Sequence, residues 1–337
     1  MSCLRAAFFI LSCIFVSCII GSIDGGVHMG IVVFGASLMD IKGYPFGKYV
    51  ADGRNAGKVV EVQGGVSRNV AEDIANVELK PTYVSVLDHS SASEEIIAKL
   101  KRHKVNTDYI VQRDGGLGKW LAIFNEEGDV VGSISQRPDL SAISETLKQH
   151  GDEIFSKCDS VVVEIDMEAD LLKAIFALAD KYNKKVYALV SNMSIAMERR
   201  DLMMCTDCVV CNQEEAGLLF SEDYAGMKPE ELAPVICRKV QQAGYRQMVV
   251  TMGAQGAVYA CHGREYGIVP AQRTAVVDTT GCGDAFFAGV TIGLTYGKTL
   301  AQACRIGTRL ASSVIATTEN VCPRFQPSEF NLFHCAE

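Results

Sequence analysis

The amino-acid sequence predicts an α/β fold: a mainly parallel central sheet covered by helices on both faces, with a small β-sheet outside it as a lid. Three observations carry the prediction. Short apolar runs at 160–165, 185–190, 208–211 and 247–251 alternate with helical stretches such as 168–182 and 230–243. This is the β-α-β-α order of a parallel sheet buried on both sides. The stretches 58–63, 119–124 and 130–135 have a different texture and read as strands and a hairpin set apart from that layer. Finally, 337 residues that are 48% hydrophobic and 21% charged suffice for one large core or two modest ones.

At the amino end, residues 6–20 (AAFFILSCIFVSCII) form an apolar run after Arg5, similar to a signal-peptide core and short for a membrane span. No A-x-A cleavage site follows, and Met29 stands just before the first strand, IVVFGASL from Ile31. Residues 1–28 are therefore expected to be an apolar leader or dispensable extension, and 29–337 the folded domain. A cytoplasmic protein is expected, with a signal or anchor as the alternative use of the leader. Asp40 is placed at the end of the first strand. Lid strands are expected from about 43–63 and 109–136, the second stretch turning at Asn125–Asp129. Gly64 and Gly65 precede a helix, with Asn69 one turn in. Cys205, Cys208 and Cys211 have a spacing at which thiolates can chelate zinc or an iron–sulfur cluster. Val209 and Val210 instead mark a buried strand, where free cysteine behaves as a small hydrophobe. The helical run AFFAGV opens on the turn D-T-T-G-C-G-D, Asp278 to Asp284.

Several function classes are set aside. A net charge of -8 gives no basic face with which to neutralise nucleic-acid phosphates, so a small-molecule ligand fits better. Repeats and low-complexity tracts are absent, which argues against a solenoid or a tail-driven interaction protein. Thirteen cysteines scattered through strands and helices suit a reduced compartment better than a disulfide framework. The pattern G-x-x-x-x-G-K-[ST] is missing, G-x-G-x-x-G fails at Phe286, and H-R-D and D-F-G are absent.

What remains is a phosphate-binding turn of another kind. Gly281 and Gly283 can expose their N–H groups at a helix start, where a partial positive charge suits an anion. Asp284 then either caps the helix or acts on a ligand. The Gly64–Gly65 turn is either structural or the wall of a polar pocket. Asp40 can accept two hydroxyl hydrogen bonds, as a sugar diol would offer. Glu215 reads equally as a helix-start charge, and Arg68 as a pocket cation or half of a surface salt bridge.

In order along the chain, GGVSRNVA, N-Q-E-E at Asn212 to Glu215, V-T-M-G-A-Q-G at Val250 to Gly256 and DTTGCGDAF resemble the PfkB, or ribokinase-like, carbohydrate kinases. The resemblance runs from Ile31 to about Arg324. Within that family, D-I-K-G from Asp40, N-A-G-K-V from Asn55, L-V-S from Leu189 and T-E-N-V-C-P from Thr318 are similar to segments of the pseudouridine kinase subfamily. Ala56 stands where that subfamily has proline, and Cys282 where alanine is usual; a thiol there would make the site sensitive to oxidants.

The resemblance implies a ribokinase-like three-layer sandwich and phosphoryl transfer from ATP to a primary hydroxyl. The acceptor is the 5′-hydroxyl of a nucleoside, pseudouridine first, with another nucleoside, ribose or a catalytically weak nucleoside-binding relative as alternatives. Asp284 would be the base, its pKa held low by the helix start, and Gly281, Cys282 and Gly283 would supply N–H donors to the moving phosphoryl group. Asp40, Gly64, Gly65 and Asn69 match sugar-binding positions. Asn212 and Glu215 match the motif supporting magnesium and phosphate, and Thr251, Gly253 and Gly256 the nucleotide-side loop. Asp278 and Thr280 match a monovalent-cation site, with potassium as the candidate ion. No membrane or nucleic-acid partner is expected, and a homodimer through the lid is.

Overall fold

In the computed structural model, which describes residues 30–127 and 130–332, the first strand divides its side chains between two cores. β1 (Gly30–Phe34) is buried along its whole length. Val32 and Phe34 enter one core while Ile31 and Val33 enter the other, as alternation along a doubly covered strand demands. The elements that follow are β2 (Leu38–Pro45), β3 (Gly57–Gly64), α1 (Val66–Asn76), β4 (Thr82–Leu87), α2 (Ser91–Arg102), β5 (Ile110–Gln112), β6 (Gly118–Phe124) and β7 (Val130–Gln136). Then come α3 (Ala142–Lys157), β8 (Cys158–Glu164), α4 (Ala169–Lys181), β9 (Lys185–Leu189), α5 (Met193–Glu198), α6 (Arg200–Met203), β10 (Cys208–Asn212) and α7 (Gln213–Phe220). The chain closes with α8 (Pro229–Ala243), β11 (Gln247–Thr251), β12 (Ala257–Cys261), β13 (Glu265–Val269), α9 (Cys282–Thr295) and α10 (Leu300–Ile315).

The large sheet has the order β13-β12-β11-β10-β9-β8-β1-β4-β5. Its strands are parallel except that β12 and β13 are antiparallel to their neighbours. One core holds residues of α3, α4 and α8, and the other residues of α1, α2, α9 and α10, so the architecture is a three-layer sandwich. Strand order reverses at β1, which lies between β4 and β8. A parallel sheet opens a crevice for ligands at the carboxyl ends of the strands at such a point. The four-stranded sheet β3-β2-β6-β7 stands outside.

Two expectations are corrected here. Asp40 does not end the first strand: β1 stops at Phe34, and Asp40 lies within β2 of the small sheet. A side chain at Gly35 would meet Ser67 Oγ at 2.0 Å. The backbone therefore passes close under α1 there as it leaves the sheet, a break that the continuous apolar run conceals. The small sheet accordingly begins at Leu38 rather than near 43, and 110–112 does not belong to it. Ile110–Gln112 instead pairs in parallel with β4 at the edge of the large sheet, where the α2 crossover delivers the chain.

Cys208 and Cys211 are buried in opposite cores and Cys205 is exposed, so the three thiols do not converge. The leader assigned to 1–28 and the end of the turn at Gly128 and Asp129 lie outside the described residues. Among the described residues, no helix is long and apolar enough to cross a membrane.

Candidate active site

Helix α9 is apolar on every side, and Ala285 to Gly293 are all buried. Gly289 lets it lie against α10, since a Cβ there would come within 2.5 Å of Gly307 Cα. The helix thus has a fixed axis, and its first turn presents Asp284. Gly281 caps it with φ +79°, and a Cβ at that position would sit 2.0 Å from the Asn320 carbonyl oxygen. Only glycine meets both conditions. Of the three amides expected to face an anion, that of Cys282 donates to the Thr279 carbonyl at 3.3 Å.

Asn69, in the first turn of α1, donates from Nδ2 to Asp284 Oδ2 at 2.7 Å. Its own Oδ1 is buried and accepts from no group among the described residues. Leaving a buried acceptor unpaired costs on the order of 1–3 kcal/mol, which a ligand hydroxyl would recover. Asp40 approaches from the small sheet: a Cβ on Gly64 would collide with its Oδ2 at 2.5 Å. Gly65 caps α1 directly behind. Asp40, Gly64, Gly65, Asn69 and Asp284 are therefore brought together.

The electrostatics differ from the expectation. Asp284 is not held low by its helix start; burial, reinforced by Asp40, pushes it up to about 6 against the pull of Asn69 and Arg68. Desolvation outweighs the partial charge of the helix end. Asp40 is raised by burial too, opposed by Lys42 and Arg68. Burial, and then Asp284, push the Cys282 thiol upward, which makes it less reactive than an exposed cysteine.

Arg68 is neither a surface side chain nor part of a surface pair. It is 0% exposed, donates to the Gln63 and Gly64 carbonyls and meets the buried Glu72 at 2.6 Å. Lys99 reaches the other oxygen of Glu72 at 3.1 Å. The guanidinium thus ties the end of β3 to α1 and supplies the positive potential felt by both site aspartates. Asn320 Nδ2 also donates to the Gln63 carbonyl, at 2.8 Å.

Asp278 Oδ1 accepts the Thr280 N–H at 2.8 Å. Burial opposes its ionisation, but the hydrogen bonds from Thr280 and the charge of Lys42 hold its carboxyl below the usual range. A second group lies farther along the sheet edge. Asn212 and Glu215 form a reciprocal cap at the start of α7, with both bonds at 2.8 Å. Thr251 is the register partner of Asn212, and Gly253 and Gly256 flank the turn that follows β11. This group ends β10 and β11, three and four strands from β1.

Sequence reasoning missed Glu72, Glu164 and Lys42. Glu164, at the end of β8, accepts from Ala36 N at 2.9 Å and from Ser67 Oγ at 2.7 Å, joining β1, β8 and α1. Burial, and then Asp166, push it upward. The i,i+4 spacing of Arg68 and Glu72 within one predicted helix was the available signal for that pair.

Two predictions concern stability. Arg68→Met should cost about 3–5 kcal/mol in urea unfolding, because it breaks a buried ion pair and takes the donor from one Glu72 oxygen and from the Gln63 and Gly64 carbonyls, against about 0–1 kcal/mol for a surface pair. Asp284 titrates at about 6 in the fold against an ordinary 3.8, so the folded chain binds this proton more tightly than the unfolded chain. The group therefore removes stability as pH climbs through that window and does so in full above it, by about 3 kcal/mol. Ligand-free Asp284→Asn should melt higher than the parent at pH ~7, and the gap should close below pH ~4.

Comparison with known proteins agrees with this geometry. The sequence pattern of the pfkB family carbohydrate kinases matches residues 29–321. A guanosine-inosine kinase of Exiguobacterium acetylicum is 30% identical over 292 residues, 86% of this chain and 95% of that protein. A pseudouridine kinase of Escherichia coli (strain K12) is 24% identical over 85% of this chain and 90% of its own. In three dimensions, Arabidopsis thaliana ribokinase, complexed with ribose and ATP, superposes with a TM-score of 0.77 at 19% identity, covering 92% of this chain and 100% of that one. The fold is thus ribokinase-like, and the chain belongs to the pfkB family of carbohydrate kinases, phosphotransferases that act on an alcohol group of a sugar or nucleoside.

Proposed function

We propose that the protein transfers the γ-phosphoryl group of ATP to the 5′-hydroxyl of a nucleoside. The observation that carries this reading is the Asn69–Asp284 hydrogen bond at the mouth of α9. It sets a partly buried carboxylate that titrates at about 6 beside an unfilled acceptor, Asn69 Oδ1. Asp284 orients the hydroxyl and takes its proton, which in a loose transition state is needed only late. The first-turn amides, Gly281 and Gly283 foremost, face the charge of the moving phosphoryl group. Asp40 holds the ribose diol, with Gly64, Gly65 and Asn69 forming the wall.

Asn212 and Glu215 would support magnesium through water. Glu215 spends one acceptor position on the Asn212 N–H and keeps others for a hydrated ion. Magnesium, when bound, neutralises charge on the phosphates. Thr251, Gly253 and Gly256 form the nucleotide side. Asp278, kept ionised, and Thr280 would hold potassium. A homodimer through the small sheet has support in the exposure of Val59, Leu121 and Ile134. Light scattering should then give twice the mass of one chain, and a monomer would refute it.

For the base, the D-I-K-G and T-E-N-V-C-P segments favour pseudouridine. The second belongs to the site's frame, since Asn320 bonds Gln63 and the Cys322 N–H donates to Asp73 at 2.6 Å. The 30% identity to a guanosine-inosine kinase supports a purine nucleoside as the second reading.

The test is ATP consumption by protein starting at Met29, offered pseudouridine, guanosine, inosine, uridine and ribose. kcat/KM should rise with pH through about 6 as Asp284 ionises, then level. Asp284→Asn should lose about 100- to 10,000-fold. Folded parent protein that turns over none of these would sink the proposal.

A further inference from the structure

We infer that Trp120 is the platform on which the substrate's base stacks, and so is the residue that makes this kinase select nucleosides over free ribose. The inference rests on the nucleoside reading above and adds the residue that recognises the base. Trp120 lies on β6 in register with Asp40 on β2, and Asp40 is in register with Val62 on β3. Residues paired directly across strands share a face of the sheet. Two steps farther along that face, past the Lys42–Ala122 pair, the rings of Tyr44 and Phe124 stack with centroids 4.8 Å apart, as this register requires. The face is the one turned toward the catalytic turn, because Asp40 on it lies against Gly64 and raises the pKa of Asp284.

The backbones of Trp120 and Asp40 are therefore one strand spacing, about 4.8 Å, apart, and both side chains rise from the same face. That is the offset between a sugar and the base attached to it. The next strand places Ser135 opposite Trp120, leaving a small polar neighbour beside the ring rather than a side chain that would cover it. Trp120 is only partly buried, whereas Ala122, two residues on along the same face, is 0% exposed. An aromatic face left open beside a diol-binding carboxylate suits a flat ring carried on a ribose, and free ribose has nothing to place on it. Stacking of this kind is tolerant of base identity, because every base has a π-face. It therefore selects nucleoside over sugar without choosing among bases.

The chain contains a single tryptophan, so its fluorescence reports on this position alone. Titrating the protein with pseudouridine, guanosine and uridine should give saturable quenching, while ribose should leave the emission unchanged. In the ATP-consumption assay, Trp120→Leu should raise KM for nucleosides about 10- to 100-fold with KM for ribose unmoved, and Trp120→Phe should recover most of the loss. A nucleoside that the parent phosphorylates without quenching, and with the same KM in Trp120→Leu, overturns the platform and leaves the kinase standing. Quenching by nucleosides in a protein that turns over none of them keeps the platform and overturns the kinase reading.

Discussion

The hydrogen bond from Asn69 to Asp284 joins two helix starts that are 215 residues apart in sequence, and the arrangement of the site depends on it. It is formed only if both helices are held by something else. Helix α9 is fixed by burial on all sides and by its close approach to α10. Helix α1 is fixed by Arg68, whose guanidinium bonds the carbonyls that end β3, and by Ser67, whose hydroxyl reaches Glu164 at the end of β8. The same contacts that place Asn69 also place the small sheet through β3. One hydrogen bond thus registers the proposed base, the proposed sugar wall and the outer sheet against each other, with little backbone freedom left to spoil the geometry.

Placing two aspartates in one buried cleft is electrostatically unfavourable, and the surrounding charges show how the fold tolerates it. Asp40 and Asp284 each raise in burial, and each is partly offset by Arg68. Arg68 would itself be a buried unpaired cation without Glu72, and Glu72 draws Lys99 in from the partly exposed side. The chain of alternating charge therefore runs from the cleft to the surface. Its net effect leaves Asp284 pushed up to about 6, a value that suits the proton transfer proposed for it. A carboxylate desolvated in this way lowers stability, a cost commonly met at active sites.

Much of this was legible in the sequence because it rests on local pattern. The doubly apolar runs located the interior strands, and glycines before a helix located both turns of the site. What failed was set by tertiary context. The end of β1 was hidden because apolar residues continue past Phe34 into β2, so Asp40 was assigned to the wrong sheet while its role stayed plausible. The short strand Ile110–Gln112 has too few residues to declare which sheet it joins. The ionisation of Asp284 was misjudged because a helix start is visible in sequence, whereas burial by α1 and the small sheet is not. Arg68 and Glu164 look like ordinary charged residues until their partners, drawn from distant segments, are in place.

The placement of the proposed functional groups also separates chemistry from selection. Asp284, the α9 amides and Asn69 sit on helices locked into the central layers, where a substitution disturbs the core as well as the reaction. Asp40 and Trp120 sit on the outer sheet. That sheet is tied down where the chain enters and leaves it: Gly118 N–H donates to the Ser37 carbonyl at 3.0 Å, and Arg137, just past β7, donates to the Asp166 carbonyl at 2.7 Å. Between these anchors its tip, with Phe46 at 80% exposure, and the outer-face residues Val59 and Ile134 stand clear of the core. Side chains on its inner face can therefore change without moving Asp284 or the turn that caps α9. On the function proposed here, acceptor choice made on such a sheet costs little in stability or in the geometry of the turn that caps α9.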